Sequence, residues 1–321
     1  MKTTPSNLSL DLPTYLQTNE LPEEIKQLLV SLPKEKGWIQ PHYYQYQGVW
    51  LGAKFLQGVI ACHKHFQSQD SDILLVTHPK SGTTWLKAIM FALSNRARFS
   101  DLKNHPLLTK NPHDLVPLLE MDLHIEKHDQ FPHISTLASS RLFATHLPHV
   151  SLPQSIKSSS CKLVYLCRNL KNTFVSLWHF SNKMRAKGPL SLEEAIDMYC
   201  RGASHFGPFS NHLLGYWKES LERSEKQPTT HLKKIAEFIG CPFSLEEEEK
   251  GMIKDIVGLC SFENLSNLEA NNSGKILLGY ERKSFFRRDE VRDWRNYLTS
   301  EMAERLDIIT QQNLYGSRLE F

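Results

Sequence analysis

The sequence predicts an α/β fold in which a central parallel sheet is covered by helices on both faces. Three short apolar runs, at residues 73–76, 142–145 and 162–167, have the length and composition of strands buried inside a domain. Helical spacing of apolar residues follows the first run from residue 83 and the third run over 172–183. Strands that alternate with helices indicate parallel pairing, and ligands of such sheets bind beyond the carboxyl ends of the strands.

The first strand and its helix are joined by a tight loop, within the segment DILLVTHPKSGTTWLKAIMFAL that runs from Asp72 to Leu93. In such a connection the loop N–H groups and the positive end of the helix dipole point at one place. Gly82 allows the backbone to turn and approach a ligand closely, and Lys80 adds a positive charge. Hydroxyl donors are present at Ser81, Thr83 and Thr84. These features predict a site for a phosphate-like anion.

The loop is not a Walker A motif, because its lysine precedes the glycine and no second glycine is present. The letters PKSGTTW, with a strand before them and a helix after them, instead resemble the signature of the cytosolic sulfotransferases. The stretches SLPKEKGW and YQGVW favour the plant branch of that family. The resemblance implies a P-loop-like three-layer α/β/α fold in which Lys80, Ser81, Gly82, Thr83, Thr84 and Trp85 bind 3′-phosphoadenylyl sulfate (PAPS). The alternative is an ordinary helix start with capping side chains.

Length and composition limit the classes of protein that the chain can represent. Its 321 residues, 40% of them apolar, suit one large α/β domain, and we expect a single domain over 20–321 after a flexible segment 1–19. A net charge of +3 is too small to argue for a nucleic-acid surface. The six cysteines form no C-x-x-C pair, which favours buried thiols in a reducing compartment. Without a signal pattern or a membrane-length apolar run, the expectation is a cytosolic protein with no membrane contact.

A second motif follows the third predicted strand, in CRNLKNTFVSLWHF. Arg168 lies at the strand end and Ser176 two turns into the next helix, so both can reach one anion. The segment resembles the family sequence that binds the 3′-phosphate of PAPS, and the resemblance gives that role to Arg168 and Ser176. Leu170 and Asn172 depart from the proline and aspartate that are usual in the family.

His146 is the predicted catalytic base. Sulfuryl transfer to an alcohol requires removal of the hydroxyl proton as the oxygen attacks sulfur, and a histidine titrates near the working pH. His146 occupies the histidine position of the family's T-H-x-P segment, which carries that role. Animal members often have a lysine two residues earlier, where this chain has Ala144, so Lys80 is expected to be the more critical catalytic cation. We interpret His149 as a polar rim residue.

The remaining predicted contacts to PAPS come from the C-terminal third of the chain. Phe262, in CSF, corresponds to the family phenylalanine that packs on adenine, and Trp85 would cover the other face of the base. Arg287, Arg288 and Asp289 occupy a motif that reads RKGxxGDW in the family and RRDEVRDW here. Asp289 puts a carboxylate where a phosphate should approach, which is unfavourable.

Two further expectations concern the architecture. After Gln227 the family normally continues through a strand that carries an adenine-side tyrosine, whereas this chain passes directly to a helix at 229–239, so the sheet is expected to lack one strand. Other helices are predicted over 51–66 and, in the C-terminal half, at 191–201, 210–223, 245–259 and 299–313. Segment 99–139 contains five histidines with scattered spacing, and we interpret it as an irregular region near a substrate entrance rather than a metal site.

The sequence therefore predicts PAPS-dependent sulfuryl transfer to the hydroxyl group of a small molecule. Acceptors known from the plant branch are flavonoids, hydroxyjasmonates, steroids and desulfo-glucosinolates, and the sequence does not choose among them. No metal is required, and we expect a monomer. One alternative is a catalytically impaired or inactive PAPS-binding paralogue, which the departures at Asp289 and after Gln227 motivate. The other is a kinase of the P-loop type, which the position of the lysine argues against.

Overall fold

A computed structural model of the chain describes residues 21–122, 141–185, 188–222, 232–276, 279–288, 290, 292–317 and 319. The strands are β1 (Lys34–Lys36), β2 (His42–Tyr46), β3 (Val49–Leu51), β4 (Ile73–Thr77), β5 (Leu142–Thr145) and β6 (Lys162–Leu166). The helices are α1 (Glu23–Ser31), α2 (Ala53–His65), α3 (Thr83–Asn95), α4 (Pro112–Leu115), α5 (Leu119–Asp122), α6 (Gln154–Lys157), α7 (Leu170–Met184), α8 (Leu192–Cys200), α9 (Phe209–Glu222), α10 (Leu232–Phe238), α11 (Leu245–Glu249), α12 (Met252–Leu259), α13 (Phe262–Asn267), α14 (Glu269–Asn272) and α15 (Ser300–Leu314).

The central sheet is parallel, with the order β5–β4–β6, which confirms the predicted fold class. Ile73 at the start of β4 faces Leu142 on one side and Lys162 on the other, so the carboxyl ends of all three strands lie at one edge. β4 and β5 are buried along their whole length, as their apolar sequences require, whereas β6 is half-buried throughout. The predicted loss of a strand after Gln227 falls within residues 223–231, outside the described residues.

The connection from β4 to α3 has the strand–loop–helix form that the sequence predicts. The backbone turns through two left-handed residues, Lys80 with φ of 68° and Gly82 with φ of 110°. Within α3, Leu86, Ile89 and Leu93 are buried at helical spacing and attach the helix to the core. Trp85 is an exception to the predicted apolar face, because 43% of its surface is exposed.

A small antiparallel sheet, β1–β2–β3, precedes the parallel one and was not predicted. β1, with the sequence KEK, lacks the apolar alternation that marks a strand, which is why the sequence did not predict it. Tyr43, in β2, and Trp38, shortly before it, are fully buried, and the indole N–H of Trp38 donates to the carbonyl of Ala203 at 2.8 Å. These large rings give the small sheet its contact with the core.

Most of the helices in the C-terminal half lie close to their predicted positions, but one of them is divided, and a segment of the N-terminal half also differs from its prediction. The predicted helix 245–259 is two helices, because Gly251, with φ of 78°, ends α11 and begins α12. The described part of segment 99–139 is not irregular throughout but contains α4, α5 and two short 3₁₀ turns. Within the described residues, no helix is both long and apolar enough to cross a membrane.

Replacement of Gly82 tests whether the loop depends on its left-handed backbone. A Cβ atom at Gly82 would lie 3.0 Å from Cδ2 of Leu166, on a backbone with φ of 110°. We expect Gly82→Ala to lower the free energy of unfolding by about 1–2 kcal/mol, measured by urea denaturation. Gly258→Ala is the matched control, because Gly258 lies in α12 with open space around it, and alanine there should raise stability by about 0.5–1 kcal/mol. A Gly82→Ala protein as stable as the parent would contradict the requirement for glycine.

Candidate active site

A cavity of about 630 Å³ opens at the carboxyl ends of the parallel strands. The structure brings together twelve of the thirteen residues that the sequence nominated for the site, and all twelve line this cavity: Lys80, Ser81, Gly82, Thr83, Thr84, Trp85, His146, Arg168, Ser176, Phe262, Arg287 and Arg288. The thirteenth, Asp289, lies outside the described residues. Their convergence follows from the parallel order of the sheet, while their individual roles stay predictions.

The start of α3 offers an open anion cradle. Gly82 occupies the N-cap position, and no side chain of the described residues caps the helix there, so the first N–H groups remain available to a ligand. The hydroxyl groups of Thr77 and Thr83 lie 2.6 Å apart, which ties the end of β4 to the first turn of α3. The residues present thus fit a phosphate or sulfate group, as the PAPS prediction requires.

Lys80 lies against two aromatic rings at the side of this cradle. Its ammonium nitrogen is 4.5 Å from the ring centre of Phe180 and 5.6 Å from that of Phe285, a cation–π arrangement. Burial, followed by the repulsion of Lys183, Arg287 and Arg168, lowers the pKa of Lys80 to about 7. The Lys80 amine is therefore only partly protonated near neutral pH, and a bound anion would stabilise its protonated, charged form.

His146 follows β5 directly and is held in one tautomer. Its Nδ1 lies 2.7 Å from the carbonyl oxygen of Thr77, and since a carbonyl only accepts, Nδ1 carries the proton and Nε2 keeps its lone pair. Burial, and then Lys87 and Lys80, lower the pKa of His146 to about 4, although its hydrogen bond to Thr77 opposes the shift. A neutral ring with a free Nε2 lone pair is the form that a general base needs.

Glu120 holds the backbone of His146 through a hydrogen bond, and the sequence did not predict this contact. Its carboxylate accepts hydrogen bonds from the backbone N–H of His146 at 2.6 Å and from Oγ1 of Thr145 at 2.8 Å. Complete burial raises the pKa of Glu120 to about 7, against the hydrogen bonds and Lys87, which lower it. No local motif marks this glutamate, because it reaches β5 from α5 through the fold alone.

A basic wall of the cavity consists of Arg168, Arg287 and Arg288, and the buried Ser176 lines the same cavity. Asp293 orients the two C-terminal arginines: one carboxylate oxygen lies 2.5 Å from Arg287 and the other 3.8 Å from Arg288. Although burial alone would raise it, hydrogen bonds from Arg287 and Asn296 hold the pKa of Asp293 below its usual range. The basic pair of the divergent RRDEVRDW segment therefore still faces the cavity.

Aromatic and apolar groups line the rest of the cavity. Trp85 and Phe262 both line it, with Phe286 at 6.1 Å from Phe262, and the exposed face of Trp85 can stack on a base. Phe55, Leu118 and Met121 add apolar surface to the lining.

His205, a second cavity residue that the sequence did not reveal, lies beside Phe55 with its Nδ1 unpartnered within the described residues.

The five histidines of segment 99–139 do not form one site. His113, in α4, lines the cavity, whereas His105 is buried and its ring nitrogen accepts a hydrogen bond from the N–H of Leu107. His124, His128 and His133 lie outside the described residues. Within the described residues, no group of three His, Cys, Asp or Glu side chains is arranged to hold a metal ion.

Comparison with known proteins gives matches along nearly the whole chain. Residues 70–318 match the family model described as "Sulfotransferase domain". The chain is 47% identical to cytosolic sulfotransferase 12 of Arabidopsis thaliana, over 98% of each chain. It is 46% identical to cytosolic sulfotransferase 15 of the same plant, over 97% of this chain and 90% of that protein.

Solved structures give the same result for the fold. The crystal structure of a candidate steroid sulphotransferase of Arabidopsis thaliana is 42% identical, has a TM-score of 0.71, and is matched over 97% of this chain and 100% of that one. A mouse sulfotransferase in complex with PAP is 22% identical with a TM-score of 0.64, over 86% of this chain and 95% of that one, and shares the fold.

Anion binding should draw a proton onto Lys80. With its pKa near 7, Lys80 is largely neutral at pH 8 in the free protein, and a bound phosphate stabilises the charged form, so binding takes up a proton. PAP is the desulfo form of PAPS. We expect calorimetric titration of PAP at pH 8, in buffers of different ionisation enthalpy, to report uptake of close to one proton. The affinity should fall by up to about tenfold per pH unit above pH 7.5.

Lys80→Arg is the matched control for that titration, because the guanidinium group stays charged. This variant should bind PAP without the proton uptake assigned to Lys80. An identical uptake in both proteins would show that the proton goes to another group.

Proposed function

This chain belongs to the sulfotransferase family, and we propose that it transfers the sulfuryl group of PAPS to a hydroxyl group of a small-molecule acceptor. The observation that carries the proposal is the presence, in one cavity, of the anion cradle of α3 and a neutral histidine whose Nε2 is free to accept a proton. Basic side chains, aromatic faces and an apolar compartment in the same cavity support a donor with a nucleotide and an acceptor with an apolar body.

The proposed mechanism needs only groups of this chain around the two substrates. Nε2 of His146 takes the acceptor hydroxyl proton while that oxygen forms its bond to sulfur. The bond from sulfur to the phosphate oxygen breaks, and the electron pair remains on the leaving phosphate. Lys80, Thr83, Thr84 and the first N–H groups of α3 stabilise that growing charge, so catalysis rests on positioning and electrostatics.

Arg168, Ser176 and the Arg287–Arg288 pair are proposed to bind the 3′-phosphate of the donor, and Trp85 and Phe262 its adenine. The buried Ser176 lies in α7, which follows β6 as the PAPS prediction requires, and Asp293 keeps the arginine pair oriented. The carboxylate of Asp289 is proposed to weaken this subsite through repulsion.

The acceptor is proposed to be a hydroxylated molecule with an apolar skeleton. Phe55, Leu118 and Met121 line the same cavity as His146, and such pockets retain ligands mainly through buried apolar surface. Flavonoids, hydroxyjasmonates, steroids and desulfo-glucosinolates all have hydroxyl groups and form the screening panel. We further propose a monomer in the cytosol, a location that is supported by the names of the cytosolic relatives.

The second candidate function is a PAPS-binding or PAP-binding paralogue with little or no turnover, favoured by the departures at Asp289 and after Gln227. Release of PAP from PAPS over the acceptor panel, together with calorimetric titration of PAP, distinguishes the two. Turnover with at least one acceptor supports the transferase, whereas binding of PAP without turnover of any acceptor supports the inactive paralogue.

Replacement of His146 tests the base. We expect His146→Ala to lower kcat by about 10²–10⁴-fold while the affinity for PAP stays nearly unchanged, because the ring acts on the acceptor proton. His149→Ala is the control, since His149 lies three residues on, with Nε2 3.6 Å from Glu219, and is not part of the cavity lining. A His146→Ala enzyme with near-normal kcat would rule out the assignment.

The pH profile tests the state of the same ring. Because the pKa of His146 is lowered to about 4, its basic form persists at acidic pH. We therefore expect kcat/KM to show no acid limb between pH 7 and about pH 5.5, where an ordinary histidine would become protonated. An acid limb with a midpoint near pH 6.5 that persists in a Glu120→Gln enzyme, in which the neighbouring carboxyl group no longer titrates, would contradict a lowered pKa of His146.

Asp289→Gly tests the proposed repulsion in the phosphate subsite. Removal of a carboxylate that is proposed to lie next to the bound phosphate should tighten PAP by roughly tenfold, or about 1.4 kcal/mol, which is close to the repulsion of about 1 kcal/mol between two like charges about 4 Å apart in water. Glu290→Gln is the comparison variant, because Glu290 is the next residue in the chain and lines the cavity. Equal PAP affinity in the parent and the Asp289→Gly variant would contradict the proposed repulsion and remove the main argument that the chain is an inactive paralogue.

A further inference from the structure

A chain of three hydrogen-bonded side chains lies behind the anion cradle. Nζ of Lys87 is 3.2 Å from Nδ1 of His113, and Nε2 of His113 is 3.0 Å from Oγ1 of Thr84. Lys87 and Thr84 are one turn apart on α3, and His113 reaches them from α4, with its ring 4.3 Å from that of Phe285. Lys87 is fully buried, while His113 and Thr84 line the cavity.

The chemistry of these groups fixes the direction of each hydrogen bond. A lysine ammonium group has three donors and no acceptor, so Nδ1 of His113 must accept. The neutral ring then carries its proton on Nε2 and donates it to Oγ1 of Thr84. With its oxygen occupied as an acceptor towards His113, the Thr84 hydroxyl directs its own proton elsewhere, and the cavity lies on its open side.

This hydrogen-bond arrangement requires a charged Lys87 and a neutral His113, and the neighbouring groups favour both charge states. Burial lowers the pKa of Lys87 to about 8, but Asp122, Glu120 and Asp114 oppose the shift, so the ammonium form prevails at neutral pH. Burial, and then the charge of Lys87, hold the pKa of His113 well below its usual value, so the ring stays neutral. The pair therefore has one preferred proton arrangement.

We propose that Lys87 and His113 are positioning residues that orient the Thr84 hydroxyl as a donor to the anion of the sulfuryl donor. The inference rests on the proposed function and deepens it, because it assigns two residues to the preparation of the cradle before the ligand arrives. A free threonine hydroxyl on a helix rotates and can donate to a backbone carbonyl one turn back. Orientation in advance removes that competing bond, and such preorganisation is the main source of electrostatic stabilisation in active sites.

The tautomer of His113 in the ligand-free protein is the first test. Ring ¹⁵N–¹H correlation spectra should show Nδ1 without a proton and Nε2 with one, and the His113→Gln spectrum identifies the signal by its loss. Lys87→Met should allow the other tautomer to appear. A His113 that carries its proton on Nδ1 in the parent protein, or is charged at pH 7, would overturn the proposal without any measurement of activity.

A double-mutant cycle on the affinity for PAP is the second test. We expect His113→Leu to weaken PAP about tenfold, the loss of one well-formed hydrogen bond to a charged group. In a Thr84→Val background the same change should cost less than about twofold, because the hydroxyl through which His113 acts is already gone. His113→Gln should keep most of the affinity, since an amide can accept from Lys87 and donate to Thr84.

His105→Gln is the control, because this buried histidine lies in the same segment but does not line the cavity, and it should leave PAP affinity unchanged. Additive losses for His113 and Thr84 would mean that His113 acts on the fold or on the ligand directly, and would overturn the proposal. If the parent protein fails to bind PAP, the proposed function is lost, while the tautomer measurement still decides the arrangement of Lys87, His113 and Thr84.

Discussion

The end of β4, at Thr77, is the point on which the two halves of the site depend. The carbonyl of Thr77 holds His146 from β5 in the tautomer of a base, and its hydroxyl contacts Thr83 at the start of the anion cradle. Parallel pairing of β4 with β5 makes both contacts possible, since it brings the two strand ends to one edge of the sheet. The relative position of His146 and the anion cradle is therefore set by backbone geometry in a buried strand, which is among the most rigid parts of a protein.

A second constraint is the burial of charge beneath the cavity. Lys87 and Glu120 are fully buried, and the carboxylate holds the backbone of His146 while the ammonium group faces His113. Such groups are unfavourable to bury unless each has its partners, and a mutation that removes one partner leaves the other uncompensated. Perturbed pKa values tend to cluster at functional sites, and here the pKa shifts of Lys87 and Glu120 follow mainly from burial.

The sequence was sufficient for the parts of the fold that have a strong local pattern. The three parallel strands, the loop and α3 were predicted because apolar runs, turn residues and helical spacing agree there. The antiparallel sheet was missed because β1 is three polar residues long, and the break at Gly251 was missed because a single glycine inside a helical stretch is a weak signal for a helix end. The site residues that belong to motifs were found, whereas Glu120, Lys87 and His113 were not, since they converge only through tertiary packing of α3, α4 and α5.

The partial charge of Lys80, which burial and the nearby Lys183, Arg287 and Arg168 cause, has a consequence for selectivity among anions. A lysine that is only partly charged in the empty cavity offers weak attraction to chloride and other small monovalent ions, which are abundant in any cell. A ligand whose phosphate or sulfate group also contacts the start of α3 and the basic wall can raise the pKa of Lys80. Such a ligand thereby adds the positive charge that its own binding requires. Charge that develops only with the correct ligand makes the cavity resistant to competition from background electrolyte.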